Sequence, residues 1–258
     1  MSTSPQMAPI SASDAGSRPG LRRLTLVEVR KMTDTRAGFW LLLSTAVLTV
    51  LIAVLAGLEA SNADRNLLDF LAITVQPASF LMPVVGILLV SSEWSQRTAM
   101  ITFTLVPQRS RVIVAKLLAG LTLSMAAFLL CMIVALVVTA IAGADGDTTW
   151  SLSSGLLGQI AISVAVPMLI GVGFGAVLLA SAPAIVLYFV LPTVWAGLGS
   201  IPELEGAARW LDPSRTMAPM LEETLSATQW ARVATSLALW MVLPIVLGLW
   251  RVTRSDVR

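Results

Sequence analysis

Apolar residues gather in six long blocks along the 258-residue chain, at 39–58, 71–90, 112–142, 156–180, 184–201 and 230–250. Twenty residues of α-helix rise about 30 Å, the hydrocarbon thickness of a bilayer, so the pattern predicts six membrane-spanning helices. Two stretches depart from that length. Residues 112–142 would extend about 46 Å as one helix, so the first turns are expected to project into the interface, where Lys116 would snorkel to the polar side. Residues 156–201 form one run that would reach about 69 Å; it must fold as two helices, and Ser181, Ala182 and Pro183 mark the expected reversal. Pro77 and Pro83 each remove a helix hydrogen bond from the second block and predict kinks. Gly171 and Gly175, four residues apart in the fourth block, predict a face on which another helix backbone packs closely. With Gly173 and Ala176 they also imitate a dinucleotide-binding fingerprint. No strand precedes them and no acidic residue follows at the ribose position, so that reading is rejected.

The polar breaks predict the rest. Residues 1–20 are rich in Ser, Ala and Pro and read as a disordered tail, without the basic start and apolar run of a signal peptide. Residues 21–38 place Leu21, Leu24 and Met32 on one helical side and Arg23 and Arg30 roughly opposite, with Leu26 on the wrong side. This is an imperfect amphipathic helix that would lie in the headgroup plane, or else a plain basic flank of the first span. Trp40, Trp230 and Trp250 stand at block ends as interfacial anchors. Residues 202–232 interleave Trp210, Leu211, Met217, Met220, Leu221 and Leu225 with charges, which predicts one or two short helices at the interface. Ser226 and Gln229 have the spacing of a capping box that opens the last helix.

Composition and charge then set the class. Hydrophobic residues make up 56% and charged residues 12% of the chain, against roughly 25% charged in a soluble domain. We therefore expect an all-α integral membrane protein: one membrane domain over residues 21–258, six spans, an N-terminal amphipathic helix and a short outer helical segment before the last span. There is no His, which excludes His acid–base chemistry and His metal ligation. The single Cys131 lies in an apolar run and reads as a small buried hydrophobe. No span carries a carboxylate, so nothing marks a proton- or sodium-coupled carrier. The tails and residues 91–116 hold 13 of the 17 Lys and Arg, while the three acidic loops and their flanks hold four. By the positive-inside rule both termini and the 91–116 segment face the cytoplasm of a cell membrane.

That segment is the candidate functional element. It carries Glu93, Trp94, Arg97, Thr98, Arg109, Arg111 and Lys116, and its residues 100–105 are too apolar for an idle cytoplasmic loop. Glu93 and Arg97 are spaced to pair across one helical turn. Arg30, Lys31 and Arg36 add to the same cytoplasmic interface. The stretch from Ser91 to Gly120 resembles the ABC-2 family of ATP-binding-cassette permeases: an acidic and aromatic pair (Glu93, Trp94), Thr98, a Leu-x-Pro step (Leu105, Pro107), basic residues (Arg109, Arg111) and Ala115-Lys116. Glu28-Val29-Arg30-Lys31, Thr35-Arg36 and Phe39-Trp40 are similar to the family's first helix and first span. The resemblance implies half of an exporter, paired with a second permease copy or a homologous permease and driven by a separate ATPase. In that family the polar segment after the second span is a coupling helix, so Glu93, Trp94, Arg97 and Thr98 would contact the ATPase. No phosphate-binding Gly-x-x-x-x-Gly-Lys-Ser/Thr occurs, so ATP and Mg are expected on the partner and no cofactor, enzymatic activity or nucleic acid on this chain. A passive channel or gradient-driven carrier, and a non-transporting scaffold or sensor, are the alternatives.

Overall fold

The computed structural model describes residues 20–59, 66–95, 109–142 and 149–254. All regular structure among them is helical, and six helices are long and apolar enough to cross a membrane. In chain order these are α2 (Arg36–Glu59), α3 (Leu67–Ser95), α4 (Arg109–Ile141), α5 (Ser154–Leu178), α6 (Ser181–Leu198) and the continuous last helix from Ala227 to Arg254. A shorter α1 (Leu21–Asp34) precedes them. The tail at 1–19 and the segment 96–108 lie outside the described residues.

Each long helix begins a few residues before its apolar block, and polar side chains cap several of these starts. Asn66 Oδ1 accepts the Asp69 amide at 2.9 Å, which starts α3 before its hydrocarbon-length core. The reversal between α5 and α6 sits two residues earlier than expected. Leu179 takes a left-handed φ of 54° and donates to the Gly175 carbonyl, and α6 begins at Ser181. Pro183 therefore lies in the first turn of α6, where its missing N–H has no intrahelical partner to lose.

Helices α3 and α5 are the mostly buried pair; the other spans expose most of their apolar surface within one chain. Small residues let α5 press on both neighbours. A Cβ on Gly171 would fall on the Pro83 carbonyl oxygen of α3, and one on Gly175 would lie 2.8 Å from the Ile87 carbonyl. On another side a Cβ on Gly173 would stand 3.1 Å from Pro244, and Gly248 meets Ala176. The fourth-block glycines thus serve packing on two neighbouring spans.

The last helix comprises α9 (Ala227–Leu237), a π-helical turn (Ala238–Val242) and α10 (Leu243–Arg254). The Leu243 amide reaches back five residues to the Ala238 carbonyl; this wider turn precedes Pro244 and makes room for its ring. Both halves of the Ser226–Gln229 capping box are formed. Before it, α7 (Glu205–Leu211), α8 (Pro213–Met217) and a 3₁₀ turn (Ala218–Leu221) are the short helices expected from residues 202–232. Trp240 Nε1 donates to the Leu211 carbonyl at 2.7 Å. The Gln159 amide of α5 donates to the Glu223 carbonyl at 2.8 Å and accepts the Leu225 amide at 3.0 Å. These bonds fasten the 205–225 segment to the start of α5 and to the middle of the last helix.

Candidate functional site

At one end of the bundle α1 meets the last turns of α3 and the first turns of α4. Thr35 breaks the helix between α1 and α2 with an extended ψ of 141°, and its hydroxyl accepts the Gly38 amide at 3.2 Å. A side chain at Gly38 would strike the Met32 carbonyl. The tight elbow folds α1 back against α4, with Glu28 and Met32 buried.

Four charges meet there. Lys116 Nζ donates to Glu28 Oε2 at 2.6 Å and to the Leu89 carbonyl at 2.7 Å, and lies 3.2 Å from Glu93 Oε1. Lys31 Nζ donates to Glu28 Oε1 at 2.9 Å and to Glu93 Oε1 at 2.6 Å. Two carboxylates and two ammonium groups balance, which is the condition under which buried ions persist. Lys116, expected to snorkel outward, is 2% exposed. It turns inward because three acceptors there match the three N–H groups of an ammonium. Burial alone would lower the Lys31 pKa, but Glu28 and Glu93 outweigh it and raise the value above its ordinary 10.5. A raised folded pKa means that the stability Lys31 contributes is complete below its unfolded value and lost only as pH rises through the folded one. Thermal melts of Lys31→Gln should therefore fall below wild type at neutral pH and converge with it only in strong alkali.

Glu93 also differs from its expected role. It is 7% exposed and faces Lys31 and Lys116, so its carboxylate holds the bundle from inside. Trp94 is half-buried beside it and Ser95 ends α3. Arg97 and Thr98 lie outside the described residues. Arg30 and Arg36 are exposed, Arg111 is half-buried and Arg109 opens α4. The structure thus brings Lys31, Glu93 and Lys116 together and leaves Arg30 and Arg36 on the surface. Glu28 is the member that sequence reasoning missed. Its signal was its position one turn from both Leu24 and Met32, in line with the apolar side of α1. The same face is completed by Ser91 Oγ and Ser181 Oγ at 2.8 Å, tying α3 to α6, and by Arg251 donating to the Val177 carbonyl that ends α5.

No protein-family model matches this chain, and no curated protein matches it significantly.

A second feature is a groove of about 610 Å³ between α3, α5, α6 and the 213–222 segment. Its volume falls within the roughly 300–1,000 Å³ range of small-molecule sites. Phe80 and Phe189 meet across it with ring centroids 4.8 Å apart, while Gln76, Ser163 and Thr193 bring polar groups to an otherwise apolar wall.

Proposed function

We propose that the chain is the transmembrane half of an ATP-driven exporter of the ABC-2 kind, completed by a second permease copy or relative and by a separate ATPase that carries ATP and Mg. The observation that supports this best is the cluster of the buried Glu28, Glu93 and Lys116 with the half-buried Lys31. Two of its members, Glu93 and Lys116, flank residues 96–108, the stretch that resembles the family's coupling segment, and the other two tie α1 to them. A push on that stretch would move the end of α3, the start of α4 and α1 as one body, because separating them would strand buried charges. Glu93 serves this lock, leaving Trp94, Arg97 and Thr98 to meet the ATPase. The polar groups in the groove favour a transport path over a scaffold.

In this reading the lock faces the cytoplasm, α1 lies along the inner interface with Arg23, Leu26 and Arg30 outward, and the 205–221 segment lies at the outer interface. In a Cys131→Ser background, cysteines replacing Asp64, Asp147 and Glu205 should react with a membrane-impermeant maleimide on intact cells. Cysteines at Gln108 and Ser255 should not, and labelling of Gln108 from outside would reverse the topology. The transport reading is tested by purifying the tagged chain from its own membranes in a mild detergent. A vanadate-sensitive ATPase should co-purify with wild type and be lost or uncoupled in Trp94→Ala; an active wild-type chain free of any ATPase would sink the proposal.

A further inference from the structure

Three arginines, Arg209, Arg215 and Arg232, line a small cavity of about 120 Å³ beside the segment before the last span, closed by Thr216, Pro219 and Gln229. Two of them have acidic partners. Arg209 donates to Glu205 at 2.7 Å; Arg215 lies 3.5 Å from Asp212 and donates to the Gly199 carbonyl at 3.3 Å. A third acid, Glu223, is exposed and accepts the Gln229 amide at 2.9 Å. Arg232 makes no ion pair among the described residues. Its guanidinium stands 5.8 Å from the Trp210 ring centroid, and its Nε is buried with no acceptor. A buried charged donor without an acceptor is costly, and in native proteins such a group is answered by a bound water or ion.

The size of the cavity and the chemistry of its wall narrow the choice. The space is far below the roughly 300 Å³ from which drug-sized ligands begin, yet a single tetrahedral oxyanion needs little more than its own volume. Arginine forks match phosphate oxygens two at a time, and three of them converge here without a lysine among them. The other polar groups of the wall are already engaged, the Thr216 hydroxyl donating to the Asp212 carbonyl at 2.9 Å and the Gln229 amide to Glu223, so the arginines are the groups that would answer an anion. We infer that this cavity is a phosphate-binding site, with Arg232 as its principal ligand and Arg209 and Arg215 as flanking ones. Under the topology proposed above it opens at the outer interface, where the phosphate could belong to a lipid headgroup or be free in solution. Binding itself does not depend on that orientation or on the transport reading.

The test uses the full chain, purified in a neutral maltoside detergent, with thermal stability as the readout. Sodium phosphate is titrated against sodium chloride at equal ionic strength, and short-chain phosphatidylglycerol against short-chain diacylglycerol. Saturable stabilisation by both phosphate-bearing probes identifies a site open to the free anion; stabilisation by phosphatidylglycerol alone identifies a headgroup site. Arg232→Gln should weaken the half-saturating concentration by about tenfold or more, the scale of one charge-assisted contact. Should that variant fold poorly, Arg209→Gln supplies the check. Arg209 is exposed and its surface pair contributes little to stability, so the fold should survive while affinity falls several-fold. No saturable effect of either probe, or equal affinity in the arginine variants, would overturn the assignment and leave Arg232 answered by water.

Discussion

Lys116→Met is expected to destabilise the purified chain by about 3–5 kcal/mol, because it removes one cation from a buried four-charge cluster and leaves Glu28 short of a partner. Detergent-denaturation curves would read this directly. The size follows from what remains: two carboxylates share a single lysine, and the Leu89 carbonyl loses the ammonium it now accepts from. Adding Glu28→Gln should restore part of the loss, since the stranded charge goes with it. A double-mutant cycle should then give a coupling of at least about 1 kcal/mol. Additive losses would mean that the two side chains do not share an ion pair. Glu93→Ala is expected to act in the same way, leaving two lysines on one acid. Any effect of that change on the proposed transport must therefore be separated from its effect on folding.

Gly171→Leu is the second large effect. Overpacking usually costs about 1–3 kcal/mol, and here the first added carbon already meets the Pro83 backbone, with no flexible side chain to yield. We expect about 3 kcal/mol or more, with loss of folded protein from the membrane. Gly171→Ala should show a milder form of the same defect. Gly158 lies in the same helix with open space where its Cβ would be, so Gly158→Ala should be neutral or slightly stabilising, by up to about 1 kcal/mol. If Gly171→Ala is as mild as Gly158→Ala, α3 and α5 do not approach this closely.

The number and order of the long helices were legible because hydrocarbon length and apolar run length obey the same ruler. Their ends were less so. The block boundaries follow hydropathy, whereas the Asn66 side chain and the Leu179 amide set helix ends through hydrogen bonds that no apolar window registers. The charge lock was half legible. Glu93, Lys31 and Lys116 stood out as charged residues near apolar runs, but each was assigned to a surface, since an isolated charge at an interface normally turns to water. What reverses that expectation is their meeting in space, which depends on the elbow at Thr35 and Gly38. Glu28 and Leu26 carried the missing information: an acid in line with the apolar side of α1 and a leucine opposite it. The packing of Gly173 on Pro244 and of Gly248 on Ala176 is not legible for a similar reason, because one sequence shows spacing within a helix and not which neighbour it faces.

The most direct test of the central claim is a cross-link at Thr98. A photoreactive phenylalanine analogue placed there in the full chain, irradiated in the native membrane, should form one dominant adduct with a chain that carries a Gly-x-x-x-x-Gly-Lys-Ser/Thr motif. The same analogue at Trp230, near the opposite end of the bundle, should not. An adduct to such an ATPase from Thr98 alone is the result the account predicts. Adducts only to lipid, or none to any ATP-binding chain while the protein remains folded and active, would contradict it.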